Sequence, residues 1–288
     1  MILDGKKVAL EYQAKIREKI LSISDRKPGL AFILIGDHPA SKAYVKMKIK
    51  GCEYCGILSE VYNLEETVSM GSLLDLVNKL NANRNIDGIL IQQPFPKHLD
   101  AIKVINSINP DKDVDGFHPL NLGKMLMEDE SGLVSCTPLG ILKLLEHYKI
   151  DLNQKHVVVV GRSLIVGRPI ANLLNQKRKF CNATVTMCHS QTAKLDEITR
   201  SADVLISAIG KPKFITSDMV KKDSIVIDVG INRIQENGQD FIVGDVDFET
   251  VAKKTSYITP VPGGIGPMTI AMLLQNTLQS FLMKNYNS

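Results

Sequence analysis

Short, unbroken aliphatic runs separated by longer amphipathic stretches recur along almost the whole chain, and this alternation restricts the fold more than any other feature. LAFILIG (30–36), DGILIQQP (87–94), KHVVVVG (155–161), ADVLISAIG (202–210) and SIVIDVGIN (224–232) are too short for helices and too continuous for strands with one face in water. A strand buried on both faces needs helices on either side, and parallel strands need a crossover between them, so the alternation predicts α/β architecture with parallel sheets. At 288 residues the chain can form two such layered domains, each with its own core.

Helical periodicity runs over 6–23, after Pro39 through SKAYVKMKIKGCEYCG, from about Ser69 to Asn81 and near 98–107, with SEVYNL (59–64) as a further strand. Three successive βα units give a first domain over 1–119. The polar segment NLGKMLMEDESGLVSCTP (121–138) reads as the crossing to a second domain over 120–267. There KHVVVVG, ATVTMCHS (183–190), ADVLISAIG and SIVIDVGIN, followed by GDVDF (244–248), make a Rossmann-like sheet. TPVPGGIGPMT (259–269) is too rich in Pro and Gly for a regular element, and a helix over 268–288 is expected to pack back on the first domain. The expected arrangement is two α/β domains flanking a cleft.

Bulk properties exclude several functions. A mean hydropathy of +0.01 and the absence of any apolar run near the roughly 20 residues of a membrane span argue against a membrane protein. The net charge of +4 is spread along the chain without aromatic-interleaved basic stretches, which disfavours nucleic acid and suits a small anionic ligand. No Walker-type phosphate loop appears. Five scattered cysteines make a poor disulfide framework, and Cys52 and Cys55 lie in a lysine-rich helical pattern with no second pair at metal spacing, so no structural metal is expected. Asp4, Lys6 and Lys7 interrupt any apolar leader core, and a cytoplasmic protein is expected.

The strongest chemical signal is VVVVGRSLIVGRPIANLL (157–174), where a buried strand ends in Gly161 and a helix resumes around Pro169. The close glycines of a dinucleotide fingerprint are missing; Arg162, Ser163 and Gly167 stand there instead. Backbone N–H groups and the helix dipole still aim at an anion, and the Arg162 guanidinium adds a forked donor for a phosphate. The next strand ends in His189, Ser190, Gln191 and Thr192 without the acid that would bind a ribose 2′-hydroxyl, which points to NADP. In the first domain Tyr44 and Lys48 are four residues apart on one helix face, with Ser41 a turn earlier. A ring beside an amine suits a flat heterocycle and proton transfer, although on spacing alone Lys42, Lys46 and Lys50 make a merely solvated basic face the simpler reading. IQQPFP (91–96) and KDVDGF (112–117) fall beyond strand ends, where Gln92, Asp113 and Asp115 could serve a ligand or simply cap turns.

In this order, ILDGK (2–6), PAS..Y...K (39–48), GILIQQPFPKH, NPDKDVDGFHP, CTPLG, VVVGRSLIVGRP, ATVTMCHS, VIDVGIN, GDVDF and ITPVPGGIGPMT are highly specific. The chain resembles the bifunctional methylenetetrahydrofolate dehydrogenase/methenyltetrahydrofolate cyclohydrolase family over essentially its whole length. The resemblance implies NADP-dependent oxidation of 5,10-methylenetetrahydrofolate and hydrolysis of the methenyl product to 10-formyltetrahydrofolate, with a folate substrate and a homodimer formed through the Rossmann domain. It also implies that Tyr44 stacks on the substrate, Lys48 is the acid/base group, Gln92 tunes it and Asp115 accepts from the pterin amino edge. Arg162 and Ser190 would hold the 2′-phosphate; Gly161, Ser163 and Gly167 would form the turn for the remaining phosphates, with Ile231 a further cofactor contact. Gly263 and Gly264 would let their loop approach pterin and nicotinamide. Gln93, Phe95 and Ser135 depart from the usual pattern, which affects pocket shape more than chemistry. A dehydrogenase without the hydrolytic step would not need Lys48 with Gln92, and a non-catalytic cofactor-binding protein would not need the four first-domain residues together.

Overall fold

A computed structural model describes residues 1–24, 26–236 and 238–286. The chain divides into two compact units, the first containing Leu10–Cys136 and the C-terminal stretch from Ile270, the second containing Met1–Ala9 and Thr137–Thr269. The chain begins with α1 (Gly5–Leu21), β1 (Gly29–Ile35), α2 (Pro39–Cys55), β2 (Leu58–Leu64), α3 (Met70–Ala82), β3 (Gly88–Ile91), α4 (Ala101–Ser107) and α5 (Pro119–Leu126). It continues with α6 (Cys136–His147), β4 (His156–Val160), α7 (Gly167–Asn175), β5 (Thr184–Cys188), α8 (Leu195–Arg200) and β6 (Val204–Ser207). Then come β7 (Ile225–Asp228), β8 (Asn232–Glu236), β9 (Gln239–Val243), α9 (Phe248–Val251), β10 (Tyr257–Ile258) and α10 (Ile265–Tyr286).

The first unit holds a parallel sheet in the order β2-β1-β3. β1 is buried at every position, as its unbroken aliphatic sequence requires. Ala31, Ile33 and Ile35 pack with Ile89 and Ile91 of β3, and α3 adds Leu73, Val77 and Leu80 at helical spacing. Each large aliphatic side chain buried there contributes about 1.5–3 kcal/mol. Ser69 caps α3 by accepting from Ser72 N at 3.1 Å, and Asp100 caps α4. The missing side chain at Gly51 brings α2 close to α10, since a Cβ there would sit 3.0 Å from Leu274 Cδ1.

By compactness the chain passes from the first unit to the second between Cys136 and Thr137. The polar stretch expected to cross between domains is anchored in the first unit through Asn121, whose Nδ2 donates to Pro110 O and Asp113 Oδ2 and whose Oδ1 accepts from Leu133 N. The first nine residues are grouped with the second unit, where Leu3 N donates to Ile258 O at 2.8 Å.

The second unit holds a parallel sheet in the order β10-β7-β6-β4-β5, the Rossmann-like arrangement expected. Two features escaped the sequence reading. The fifth strand is the two-residue β10, whereas GDVDF supplies a single bridge between Val246 and Ile215; β8 and β9 form a separate antiparallel hairpin. Among the described residues no helix is long and apolar enough to cross a membrane, and no group of three or more His, Cys, Asp or Glu could hold a metal.

One buried charge organises the start of the first sheet. Asp87 is fully buried and receives both Arg26 guanidinium nitrogens at 2.7 Å, with Gly29 N at 2.9 Å. Arg26→Met leaves that carboxylate unneutralised by its fork partner and is expected to cost about 2–4 kcal/mol, somewhat less than the roughly 3–5 kcal/mol of a fully buried broken pair because Arg26 is partly open to water. Urea denaturation checks this, and adding Asp87→Asn should recover part of the loss.

Candidate active site

In the first unit the site grows from α2 and from the loop beyond β3. Lys42 pairs with exposed Asp37 at 2.8 Å and Lys46 and Lys50 face solvent, but Lys48 is 7% exposed. A solvated basic face therefore accounts for three of the lysines and fails for the fourth. Lys48 Nζ donates to Gln92 Oε1 at 3.1 Å, while Gln92 Nε2 donates to Gln93 O at 2.8 Å and Gln92 N to Ile33 O at 2.9 Å. Both ends of the amide are thereby engaged, and its oxygen is turned to the amine. Tyr44, one helical turn before Lys48, is half-buried, and burial raises the pKa of its hydroxyl.

The two aspartates of DVDG separate in role. Asp113 accepts from Phe117 N, His118 N and Asn121 Nδ2, so it is a turn anchor. Asp115 is held chiefly through its backbone, where its carbonyl accepts from Cys136 N at 3.4 Å, and its carboxylate is free of the turn-capping duty of Asp113. Burial raises the Asp115 pKa and the positive charge of Lys48 opposes that shift. Gly116 has φ +72°, and a Cβ there would lie 2.5 Å from Ser135 N. Ser135 in turn donates its hydroxyl to Gly116 O at 2.8 Å. A small cavity next to these groups is lined by Ile89, Ile91, Gln93, Phe95, Asp115 and Phe117, among others, so two of the departures from the family pattern shape it.

Sequence reasoning missed two supports of this loop. Buried Asn276 of α10 donates to Val114 O and Val134 O, each at 2.9 Å, and Cys136 Sγ donates to Val114 O at 3.1 Å. Burial pushes the Cys136 thiol well up, which makes it an inert packing group. Cys52 and Cys55 are likewise buried, with thiols pushed up to about 12 and about 11.

In the second unit β4 and β5 run parallel in a register that pairs Val160 with Cys188. Arg162 and Ser190 both stand two residues beyond that pair, at the ends of adjacent strands, and both are exposed. Gly161 has φ +129°, and a Cβ on it would meet Ala208 O at 2.3 Å. A Cβ on Gly167 would meet Gly161 O, also at 2.3 Å, so the turn closes on itself. Ser163 Oγ accepts from Val166 N and Gly167 N at 3.2 and 3.3 Å, which commits its oxygen to the start of α7 and leaves its own proton to donate. A strand end, a tight turn, a helix start and no acid at the end of β5 together fit a dinucleotide bearing a 2′-phosphate.

Ile231 follows β7 and is exposed, with its Cδ1 3.7 Å from where a Cβ of Gly266 would stand. In the Pro-rich loop Gly263 has φ +108°, and a Cβ on Gly264 would lie 2.5 Å from Pro260 O. The O of Gly263 accepts from Lys6 N at 2.8 Å. The chain's own backbone conformation at Gly263 and packing at Gly264 therefore demand these glycines, whatever else approaches them.

These features define a nicotinamide-dinucleotide enzyme of two parallel α/β units, one with the cofactor turn and the other with a buried amine–amide pair. The family models for tetrahydrofolate dehydrogenase/cyclohydrolase match both parts, the catalytic domain over residues 3–115 and the NAD(P)-binding domain over 135–285. The bifunctional protein FolD of Chloroherpeton thalassium is 49% identical over 288 residues, covering 98% of each chain. The crystal structure of the bifunctional FolD of Campylobacter jejuni is 51% identical with a TM-score of 0.91, covering 97% of this chain and 98% of the other. The FolD of Trypanosoma brucei, solved with NADP and an inhibitor, is 34% identical with a TM-score of 0.94, covering 99% of this chain and 98% of the other. The chain belongs to the tetrahydrofolate dehydrogenase/cyclohydrolase family. It is a bifunctional enzyme that oxidises 5,10-methylenetetrahydrofolate with NADP and hydrolyses the methenyl product to 10-formyltetrahydrofolate.

Burial pushes the Asp113 carboxyl up to about 6, against the hydrogen bonds from Asn121, His118 and Phe117 that hold it down. A folded pKa above the unfolded 3.8 means that this group's contribution to stability is complete below pH 3.8 and is lost as pH rises through about 6. Across that window wild type should lose stability relative to Asp113→Asn. Paired urea titrations from pH 4 to 7 read the difference; a gap that is flat with pH contradicts the assignment.

Proposed function

We infer that Lys48 is the acid/base group of the hydrolytic step and that Arg162 with Ser190 holds the 2′-phosphate of NADP. The observation that carries the first part is the buried Lys48 amine against the fixed Gln92 oxygen at 3.1 Å. Tyr44, a turn away on the same helix, supplies a ring on which a pterin stacks. Asp115 accepts from the pterin amino edge, and Gly263 and Gly264 shape the loop that borders the reacting groups. In this reading residues 1–119 with the C-terminal helix make up the folate-binding domain and 120–267 the NADP-binding domain.

The oxidation requires no protein nucleophile, because bound NADP supplies the hydride acceptor and the chain's residues orient the substrate. Hydrolysis is different. Water bonds to the methenyl carbon and the adduct loses one water proton; as the bond from that carbon to one ring nitrogen breaks, the hydroxyl gives up its second proton to become the formyl oxygen while the departing nitrogen gains a proton, so one proton is released overall. Lys48 takes the first proton and returns one to the departing nitrogen, and Gln92 keeps the amine aimed between them.

The turn at Gly161, Ser163 and Gly167 receives the remaining phosphates, with Ile231 against the cofactor's other half. Two copies associate through the NADP-binding unit, a reading supported by the exposed Phe241 and Ile242 on β9. Five buried, unbridged cysteines suit a reducing compartment, and the cytoplasm is the one we assign.

Lys48→Met should lower hydrolysis of methenyltetrahydrofolate by about 100-fold or more while folate binding stays measurable. A full hydrolytic rate in that variant removes Lys48 from the mechanism. Arg162→Ala should weaken NADP by about tenfold or more and NAD much less, since only NADP carries the phosphate that the guanidinium grips. Fluorescence titration with both dinucleotides compares them, and equal losses refute the phosphate assignment.

A further inference from the structure

The second unit buries two carboxylates that the reaction does not use. Asp245 is fully buried, and its two oxygens collect five donors: Ile209 N at 2.8 Å, Gly210 N at 3.2 Å and Ser207 Oγ at 3.3 Å on Oδ2, Lys211 N and Asn232 Nδ2 at 2.9 Å each on Oδ1. Three of these come from the loop beyond β6, one from Ser207 at the end of β6 itself and one from Asn232, at the start of β8 beyond β7. Asp228, at the end of β7, fixes the backbone that carries Asp245 by accepting from Asp245 N and Val246 N, and it also accepts from Gly230 N, all at 2.9 Å. Thr259 Oγ1 accepts from Asp228 N at 2.7 Å.

Two glycines make room for the carboxylates. A Cβ on Gly244 would fall 1.8 Å from Asp228 Oδ2, and one on Gly230 would fall 2.2 Å from Asp245 Oδ1. An arrangement that excludes side chains at two positions to admit two acids far apart in sequence is built, and it is built at the carboxyl ends of β6 and β7.

That location is informative. The sheet order β10-β7-β6-β4-β5 reverses direction of growth between β4 and β6, and in such sheets a dinucleotide crosses outside the strand ends at the reversal. Arg162 and Ser190 beyond β4 and β5 mark one half of the cofactor, so the other half falls on the loops beyond β6 and β7. We propose that Asp245 is a positioning residue for hydride transfer, holding Ser207–Lys211 and the segment leading to Asn232 in one arrangement against which the nicotinamide half of NADP is ordered. It touches no reacting atom. The Gly161 turn is packed against the same loop, since Ala208 O fills the space a side chain at Gly161 would take. The proposal rests on the cofactor assignment above.

Asp245→Asn is the direct test, because an amide offers one acceptor atom where the carboxylate offers two and its NH2 must face N–H donors on one side. In the dehydrogenase assay its KM for NADP should rise about tenfold or more, with a lower kcat, the size expected when charged hydrogen bonds are lost. Hydrolysis of methenyltetrahydrofolate without cofactor, run on the same preparation, should stay within about twofold, too small a change to signal a lost hydrogen bond. Unchanged dehydrogenase constants overturn the proposal, and so does a parallel fall of both activities, which marks a merely structural group. Should Asp245→Asn fail to fold, Asn232→Ala removes one donor only and decides: a rise in the KM for NADP of about threefold or more with intact hydrolysis supports the proposal, and no rise sinks it. Titrating wild type with NADP first separates a failure of the cofactor assignment, which shows as no binding at all, from a failure of this one.

Discussion

Parallel strands buried on both faces leave almost no freedom along their length, and this constraint decides where chemistry can be done. β1, β3 and β6 are buried at every position, and their backbones pair with neighbouring strands of their own sheets. Polar side chains and free N–H groups can face a ligand only where a strand stops. Gln92 follows β3, Arg162 follows β4, Ser190 follows β5, and Ile231 follows β7. The groups proposed for the site are thus distributed by topology before any of them is chosen for its chemistry.

Buried charge then divides into anchors and reagents, and the division can be read from how many donors and acceptors each group has in use. Lys112 is as buried as Lys48, yet its ammonium donates to three carbonyls, Leu80 O, Asn81 O and Asn83 O, which uses all its protons in closing α3. Among the described residues Lys48 makes one hydrogen bond, to a neutral amide. Asp113, with three donors, and Asp245, with five, are similarly committed. A buried ion whose capacity is filled stabilises a loop; one with capacity left is available to a substrate.

The legibility of these features in the sequence follows from their range. Strands and helices of the first unit stand out because aliphatic runs and the 73, 77, 80 spacing of α3 are local patterns. Tyr44 and Lys48 are legible as a pair because a helix makes residues four apart neighbours. What separates Lys48 from Lys42, Lys46 and Lys50 is not local, since it depends on Gln92 arriving from β3. The same limit hid Asn276, which stabilises the Asp115 loop from α10, and Asp245, whose partners are mostly backbone N–H groups some 34–36 residues earlier. Backbone donors have no side-chain signature, so a residue chosen to satisfy them looks like any turn aspartate. β10 was missed because two residues carry no periodicity, and the expected crossing segment proved anchored by Asn121, whose three contacts lie 8 to 12 residues away.

The departure from the usual dinucleotide fingerprint has a physical reading in these terms. In that fingerprint glycines serve the ligand by letting backbone approach a pyrophosphate. Here Gly161 and Gly167 serve the chain, one clearing Ala208 O and the other clearing Gly161 O, and Ser163 spends its acceptor on the start of α7. The turn is therefore closed by internal packing before any cofactor arrives, and in the proposed assignment recognition passes to groups that project from it, the Arg162 fork and the Ser190 hydroxyl at matching positions past Val160 and Cys188. A fork of this kind distinguishes a phosphate from a hydroxyl far better than backbone N–H groups can, because its charge is matched only by an anion. Under that assignment, selectivity for the phosphorylated dinucleotide follows from the same substitution that removes the fingerprint.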